Sequence, residues 1–446
     1  MTPIFFNTIH NYLTGLRQRF SEFVLIKLKD YPVKNIRRFI NDLGVVFIYR
    51  MIGSVLISVI AVLAAKLFGP KGYGQISLVN NMSNILLLPV MVGINSSMYK
   101  YLPDSGQSRS DQLKSAAFTG NILLLACFSL FYFNISFWIN DIIKIPVPVW
   151  QMGIAATIAL DLYTLSESFI RGQKKYGTLA RLKLAGNIVF FILFLVFQFY
   201  YKAMNFQHYF YVFFSSQMVF IIVALFKSDF HSFSINRTVF KQIYIYGFFN
   251  MFNNLFLLLI NSSDLFIVNY FSPGRDVGVY SIYQGFVKNL FSIMFYEVFA
   301  VVFLPAIAKL DKNQLYKTIQ RLIPAAWLIT VLGTAGLTSG VVWVLGKEYG
   351  LNLVYILLVS LGIGFYTVFQ IYQSIFMMEG NRGAKLCLIP LIIALPISLI
   401  TQYEFTKHFG ITGAMLAVTI GNLLLLLIFI AAFRRINPKF SDKKPV

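Results

Sequence analysis

Long apolar runs fill this chain from about residue 43 to 433, and the short polar gaps between them are rich in Lys and Arg only every second time. One alternate set of gaps, both chain ends included, carries 29 of the basic residues: those from Arg17 to Arg38, Lys100 to Lys114, Arg171 to Lys183, Lys227 to Lys241, Lys309 to Arg321, Arg382 and Lys385, and Arg434 to Lys444. The other set carries 7: Lys66, Lys71, Lys144, Lys202, Arg275, Lys347 and Lys407. Translocating positive charge across a membrane is unfavourable, so cytoplasmic loops keep it. The alternation therefore predicts an even number of spans, with both termini on the cytoplasmic side of a cell membrane. Arg50 and Lys288, the last two of the 38 basic residues, fall within spans.

A 446-residue chain that is 57% hydrophobic and 12% charged cannot bury its apolar surface in one soluble core. A crossing takes about 20 predominantly apolar residues, which allows about twelve spans. They fall near 43–68, 75–99, 116–138, 148–170, 182–201, 206–227, 242–270, 278–306, 322–345, 351–378, 385–402 and 410–433. The expected fold class is an all-α polytopic membrane protein: a basic segment 1–42, lobes at 43–228 and 229–433, and a basic tail 434–446. The net charge of +21 follows the placement rule for membranes and suits anionic inner-leaflet lipids, so no nucleic-acid partner is expected. Cys127 and Cys387 lie within spans, and the four His residues show no ligand spacing, so neither a disulfide framework nor a metal or other cofactor is expected. Residues 1–42 lack the compact apolar core of a cleavable signal. Phe5, Phe6, Ile9, Leu13, Leu16 and Phe20 recur there at helical spacing, which reads either as a helix lying on the membrane face or as a partly ordered basic tail.

The chain repeats itself at an offset of about 204 residues. Phe68-Gly69-Pro70 and Gly74-Gln75-Ile76-Ser77 follow span 1; Phe271-Ser272-Pro273 and Gly278-Val279-Tyr280-Ser281 follow span 7. Six spans separate the copies, so both halves point the same way. That predicts two six-helix lobes related by a parallel pseudo-two-fold along the membrane normal, with a site between them.

The repeat also aligns intramembrane polar residues. In span 7, Asn250, Asn253, Asn254, Asn261 and Asp264 fall within about 100° of helix circumference, as do Ser77, Asn80, Asn81, Asn84 and Asn95 in span 2. Span 8 carries Ser281, Gln284, Lys288 and Ser292 on one stripe and Glu297 on nearly the opposite face, while span 1 offers Arg50 and Ser54. A single amide in a bundle usually bonds a neighbouring helix. Stripes of this length, with a cation in a paired helix, predict a hydrated central cavity lined by spans 1, 2, 7 and 8. Deep charges usually line pathways, and phosphate suits Arg50 and Lys288 as a bidentate fork and a point charge. The bland alternative is a structural ion pair of Lys288 with Asp264 or Asp161. Asp161, Asp264 and Glu297 are candidates for coupling to an H+ or Na+ gradient, and Glu167, near a span end, reads as an ordinary surface charge.

These residues resemble a family. Lys66-Leu67-Phe68-Gly69-Pro70-Lys71-Gly72-Tyr73-Gly74 resembles the signature after span 1 of Wzx-type polysaccharide flippases, a branch of the multidrug/oligosaccharidyl-lipid/polysaccharide exporter (MOP) superfamily. Gly93-Ile94-Asn95-Ser96-Ser97-Met98-Tyr99-Lys100-Tyr101-Leu102 resembles the family's ending of span 2, and Phe409-Gly410-Ile411-Thr412-Gly413-Ala414-Met415-Leu416-Ala417 its opening of a late span. The resemblance implies alternating-access export of a polyprenyl-pyrophosphate-linked oligosaccharide for O-antigen, capsule or exopolysaccharide assembly. A polysaccharide polymerase and chain-length machinery would then be partners. Related lipid II flippases place cations in spans 1 and 8, where Arg50 and Lys288 stand. They have another in span 2, where this chain has only Lys100 at the end. A cation-coupled multidrug antiporter would favour anionic walls, and a membrane-embedded glycan polymerase or ligase would need a sizeable extracytoplasmic loop. The expectation is a transporter rather than an enzyme.

Overall fold

A computed structural model describes residues 36–103, 105–201, 205–291, 312–377 and 381–436. Glu297 lies outside them. Among the described residues the chain is helix and loop, and eight helices are long and apolar enough to cross a membrane. The helices are Ile36–Met91, Ile94–Tyr101, Gln107–Ile143, Val147–Gly172, Tyr176–Tyr201, Phe206–Lys227, Arg237–Phe271, Lys312–Leu345, Leu353–Met377 and Asn381–Ile436, with the described part of span 8 running in pieces from Arg275 to Phe291. Apart from a break at Val92–Gly93 in span 2, the described residues of the twelve expected spans fall on helix, to within a few residues at the ends.

Two of these helices are each a pair of spans joined at a glycine. In Ile36–Met91 the backbone leaves helical geometry at Gly69, with φ 62° and ψ −179°. Ile57 and Asn84 line one chamber, yet 27 residues of unbroken helix would hold them about 40 Å apart. The chain therefore reverses at Gly69, a conformation that a Cβ disfavours, and Pro70 opens the next helix, where its missing N–H costs nothing. Gly410, at φ 57°, does the same between spans 11 and 12. A Cβ on Gly421 would lie 2.9 Å from Ser398 Oγ, so the two arms are in contact.

Span 2 departs from a continuous helix. It stops at Met91, Val92 and Gly93 take positive φ, and a separate helix, Ile94–Tyr101, resumes. Pro89 lies just before the break and lacks the N–H that would bond one turn back.

Aliphatic and aromatic packing holds the lobes together at two levels. On the face away from the basic loops, one core joins Ile60, Ala64, Ile76 and Val79 to Val277, Tyr280, Val342 and Ala414. On the basic-loop face a second cluster sets Met91, Ile94, Met98, Leu113 and Leu165 against Val239 and Ile243 of span 7. The polar stripes of spans 2, 7 and 8 lie between these two levels.

Candidate functional site

Between the two apolar levels is a chamber of about 560 Å³, walled by spans 1, 2, 7 and 8 with side chains added from spans 6 and 10. Span 2 contributes Ser77, Asn80, Asn81 and Asn84, successive turns of one face. Span 7 contributes Asn254, Asn261, Ser262 and Asp264, and span 8 contributes Ser281, Gln284, Lys288 and Asn289. Asn80, Asn84, Asn254 and Asn289 are exposed to this space. Several amides bond along their own helices, as with Asn84 Nδ2 to Asn80 O at 2.9 Å and Asn261 Nδ2 to Leu257 O at 2.9 Å. Their carbonyl oxygens remain as acceptors. Across the lobes, Asn81 Nδ2 donates to Ser262 O at 3.1 Å.

In span 8 the α-helical piece Arg275–Tyr280 gives way to a π-helical stretch, Ser281–Phe286. Such a bulge shifts the register of everything that follows, and it is frequent at functional sites. Here it brings Asn289 into the wall beside Lys288. Lys288 Nζ donates to Asn261 O at 2.8 Å and lies 5.5 Å from the centre of the Tyr366 ring. Asp264 is its electrostatic neighbour but not its direct ion-pair partner. The Asp264 carboxylate is satisfied at both oxygens, by Tyr280 O–H at 2.6 Å and by the Leu265 N–H at 2.8 Å. Lys288 thus keeps donor capacity toward the chamber.

Of the residues expected to line the cavity, Asn80, Asn84, Asn254, Asn261, Gln284, Lys288 and Asp264 share it. Asn250 does not. It lies one turn nearer the basic loops, half-buried, with Nδ2 on Tyr246 O at 3.0 Å. At that level span 7 packs directly on the Ile94–Tyr101 helix, where Ser97 Oγ donates to Ile243 O at 2.7 Å and Lys100 Nζ sits 3.9 Å above the Tyr246 ring.

Arg50 is not part of the chamber wall. Its electrostatic neighbours are Glu167, Arg171, Tyr163 and Tyr99, near the basic loops. Arg50 lies about two turns from Ile57 along span 1 and turns toward span 4. The expectation that it joins Lys288 in one chamber is therefore corrected. Glu167 is corrected too: it is 8% exposed, and its Oε1 meets Lys183 Nζ at 2.7 Å. Three cations compete for this one buried carboxylate, with Arg171 stacked 4.6 Å from the Tyr99 ring. Asp161, also absent from the chamber wall, is fully buried in span 4 and accepts from Asn121 Nδ2 at 2.6 Å.

Sequence reasoning missed the aromatic lining of Tyr73, Tyr209, Tyr280 and Tyr366. With 25 Tyr in the chain, nothing in the spacing separates a ring facing this chamber from one facing lipid.

Away from the basic loops the lobes meet through backbone. A Cβ on Gly278 would lie 1.7 Å from Pro70 O, and one on Gly74 2.9 Å from Gly278 N. Gly74 and Gly278 are equivalents under the 204-residue repeat, and equivalents that touch mark the course of a pseudo-two-fold axis. Tyr349 O–H also donates to Ala65 O at 3.0 Å, and Asn269 Nδ2 to Lys144 O at 3.1 Å.

Three solved structures show the same architecture. An inward-facing multidrug resistance MATE family transporter of the MOP superfamily is 13% identical with a TM-score of 0.62, over 90% of this chain and 100% of that one. The lipid II flippase MurJ in an inward closed conformation is 15% identical with a TM-score of 0.64, over 90% and 94%. A MOP superfamily transporter from Pyrococcus furiosus, described as having a binding pocket of reverse polarity, is 14% identical with a TM-score of 0.54, over 90% and 97%. No curated protein matches in sequence. At these identities the likeness is one of fold: two helical lobes and a multi-pass membrane protein. The sequence pattern of the polysaccharide biosynthesis protein family matches residues 62–342, more than half of the chain, and the chain belongs to that family.

Proposed function

We propose that the protein is a flippase that moves a polyprenyl-pyrophosphate-linked oligosaccharide across the cytoplasmic membrane, for assembly of a surface polysaccharide. The basic loops and both termini face the cytoplasm on this reading. The observation that carries it is Lys288, a cation deep in a span, set in an amide-lined chamber between the lobes. An intramembrane charge is costly and is kept where it meets a partner or a hydrated pathway. Lys288 faces the space with donor capacity left over, which suits a phosphate group arriving from outside the protein. Asn80, Asn84, Asn254 and Gln284 supply donors and acceptors for sugar hydroxyls, and Tyr73 and Tyr209 supply flat apolar faces. A chamber of about 560 Å³ takes the diphosphate and the first sugars, while the polyprenyl chain stays in lipid between the lobes. Alternating access then requires the basic-face contacts at Ser97 and Lys100 and the opposite-face contacts at Gly74 and Gly278 to part in turn. A gradient of H+ or Na+ drives the cycle, and the polysaccharide polymerase and chain-length machinery receive its product.

The test replaces Lys288 with Met and with Arg in a strain whose surface glycan depends on this chain. At equal protein level, Lys288→Met lowers surface glycan about tenfold or more, with lipid-linked repeat units accumulating on the cytoplasmic side, and Lys288→Arg retains part of the activity. Full glycan with Lys288→Met refutes the assignment. Altered drug sensitivity with normal glycan in the deletion strain points to a multidrug antiporter instead, and accumulation of repeat units outside points to a polymerase.

A further inference from the structure

Spans 3, 4 and 7 meet between the chamber and the basic loops, and three side chains there are left with unmet polar atoms. Asp161 and Asn121 are 0% exposed. Asn121 Nδ2 donates to Asp161 Oδ2, while Asp161 Oδ1, Asn121 Oδ1 and the Tyr244 hydroxyl are buried without any hydrogen-bond partner. Tyr244 crosses from the other lobe. Its hydroxyl would lie 2.1 Å from a Cβ on Gly120, the residue beside Asn121, and its charge environment includes Asp161. Leu87, which lines the chamber, packs on the same apolar cluster as Tyr244 and Leu165.

No cation faces the Asp161 carboxyl among the described residues. On its own helix Glu167 is engaged with Lys183 of span 5, with Arg50 of span 1 and with Arg171. The Ile94–Tyr101 helix directs Lys100 to the Tyr101 and Tyr246 rings. On span 3, Asp111 and Lys114 pair with each other and with the loop after span 6. Across the interface, the charge environment of Tyr244 includes Asp161.

An ionised carboxylate buried with one N–H donor is uncompensated, whereas the neutral acid needs only an acceptor for its O–H. The neighbouring side chains carry two unused acceptors, Asn121 Oδ1 and the Tyr244 oxygen. A bare metal cation needs a fuller oxygen shell than these three atoms offer, and no cluster of His, Cys, Asp and Glu fit for a metal occurs among the described residues. We propose that Asp161, with Asn121 and Tyr244, is a proton-binding site between the lobes whose loading holds span 7 against the N-terminal lobe. The proton comes from water on whichever face is open, adds to Asp161 Oδ1 and is released to water when the junction parts. The use of this site in transport rests on the function proposed above; its existence does not.

The experiment uses the full chain in lipid nanodiscs, without substrate. Infrared difference spectra of wild type against Asp161→Asn, over about pH 5 to 9, show the C=O stretch of a neutral carboxylic acid that belongs to Asp161. Tyr244→Phe and Asn121→Ala shift both the band and its midpoint. Hydrogen exchange of residues 238–250, corrected for the intrinsic effect of pH, rises about fivefold or more as Asp161 ionises and is flat in Asp161→Asn. An ionised Asp161 throughout, a response to Na+ at fixed pH in place of pH, or pH-independent exchange in wild type overturns the proposal. Should Asp161→Asn fail to fold, unshifted bands and midpoints in the other two variants overturn it equally. Loss of the flippase reading in the glycan assay leaves these outcomes unchanged, so the two failures are distinguishable.

Discussion

Replacing Gly278 with Ala tests the closure of the face away from the basic loops. The added Cβ would lie 1.7 Å from Pro70 O, 2.4 Å from Pro70 C and 2.8 Å from Pro70 Cα. All three are backbone atoms at the start of span 2, so no side-chain rotation relieves the overlap. Carbon atoms rest at about 3.5–4.0 Å, so the lobes must separate by about 1 Å or more at this point. Overpacking of this kind costs about 1–3 kcal/mol. The penalty falls only on the state in which this face is closed, which shifts the balance toward opening by about 5- to 150-fold. With Cys127→Ser and Cys387→Ala removing the native thiols, Ser77→Cys places one thiol on the chamber wall. A membrane-impermeant maleimide applied from that face then alkylates it about fivefold faster or more in the Gly278→Ala variant. Gly74→Ala, whose nearest backbone atom is at 2.9 Å, gives a smaller increase. Gly333→Ala, with nothing within 4 Å of its Cβ, gives none. Equal rates for Gly278→Ala and its parent would falsify the assignment of this contact as a closure between moving lobes.

Glu167→Gln leaves Lys183, Arg50 and Arg171 around a site without an anion, at a cost on the order of 3 kcal/mol; a thermal melt in detergent should fall by several degrees, and Lys183→Met in the same chain should restore part of the loss. Asp229, in the loop after span 6, is held below the usual carboxylate range chiefly by its hydrogen bond from Lys175. A depressed folded value means that its contribution is present above the unfolded titration, about pH 4, and is lost as pH falls through the folded one. Asp229→Asn should flatten this acid-side loss slightly, because the pair is exposed, and identical melting curves from about pH 3 to 6 would refute the pairing.

The crossing segments were legible because each needs a long apolar run, and the reversals because Gly69 and Gly410 stand between two such runs. Asn80 and Asn84 stand four residues apart and Asn254 and Asn261 seven, spacings that α-helical geometry converts directly into one wall. Gln284 falls on the same pattern. Asn289 was illegible because the π-helical turn before it changes the periodicity on which the wheel depends. Arg50 shows a different limit. Depth along span 1 follows from counting residues, but its azimuth is set by which neighbours pack against the helix, and these are spans 4 and 5. Glu167 was misjudged for the same reason, since Lys183 lies on another span. The pairing of Asp161 with Asn121 joins residues 40 positions apart, each ordinary within its own helix.

The two closures differ in kind, and the difference has consequences for control. Away from the basic loops the lobes meet through the backbone at Pro70, Gly74 and Gly278, with the Tyr349 hydroxyl on Ala65 O beside them. Toward the basic loops the crossing of Gly93 and Gly247 is equally close, a Cβ on Gly93 lying 2.2 Å from Gly247 O. Beside it, however, sits a buried carboxyl with an unmet oxygen. On the proton-site proposal, loading Asp161 acts on the closure toward the basic loops. In a two-state cycle, a ligand that binds only one closure biases the direction of opening by its full differential affinity. The asymmetry lies in side chains laid over a repeated backbone. Span 3 carries Asn121 and span 4 carries Asp161, whereas the positions 204 residues later hold Ala325 and Phe365, which neither donate from a side chain nor titrate. The repeat thus supplies a symmetric scaffold on which the side chains of the proposed proton site stand in the N-terminal lobe without a matching pair at that offset in the other.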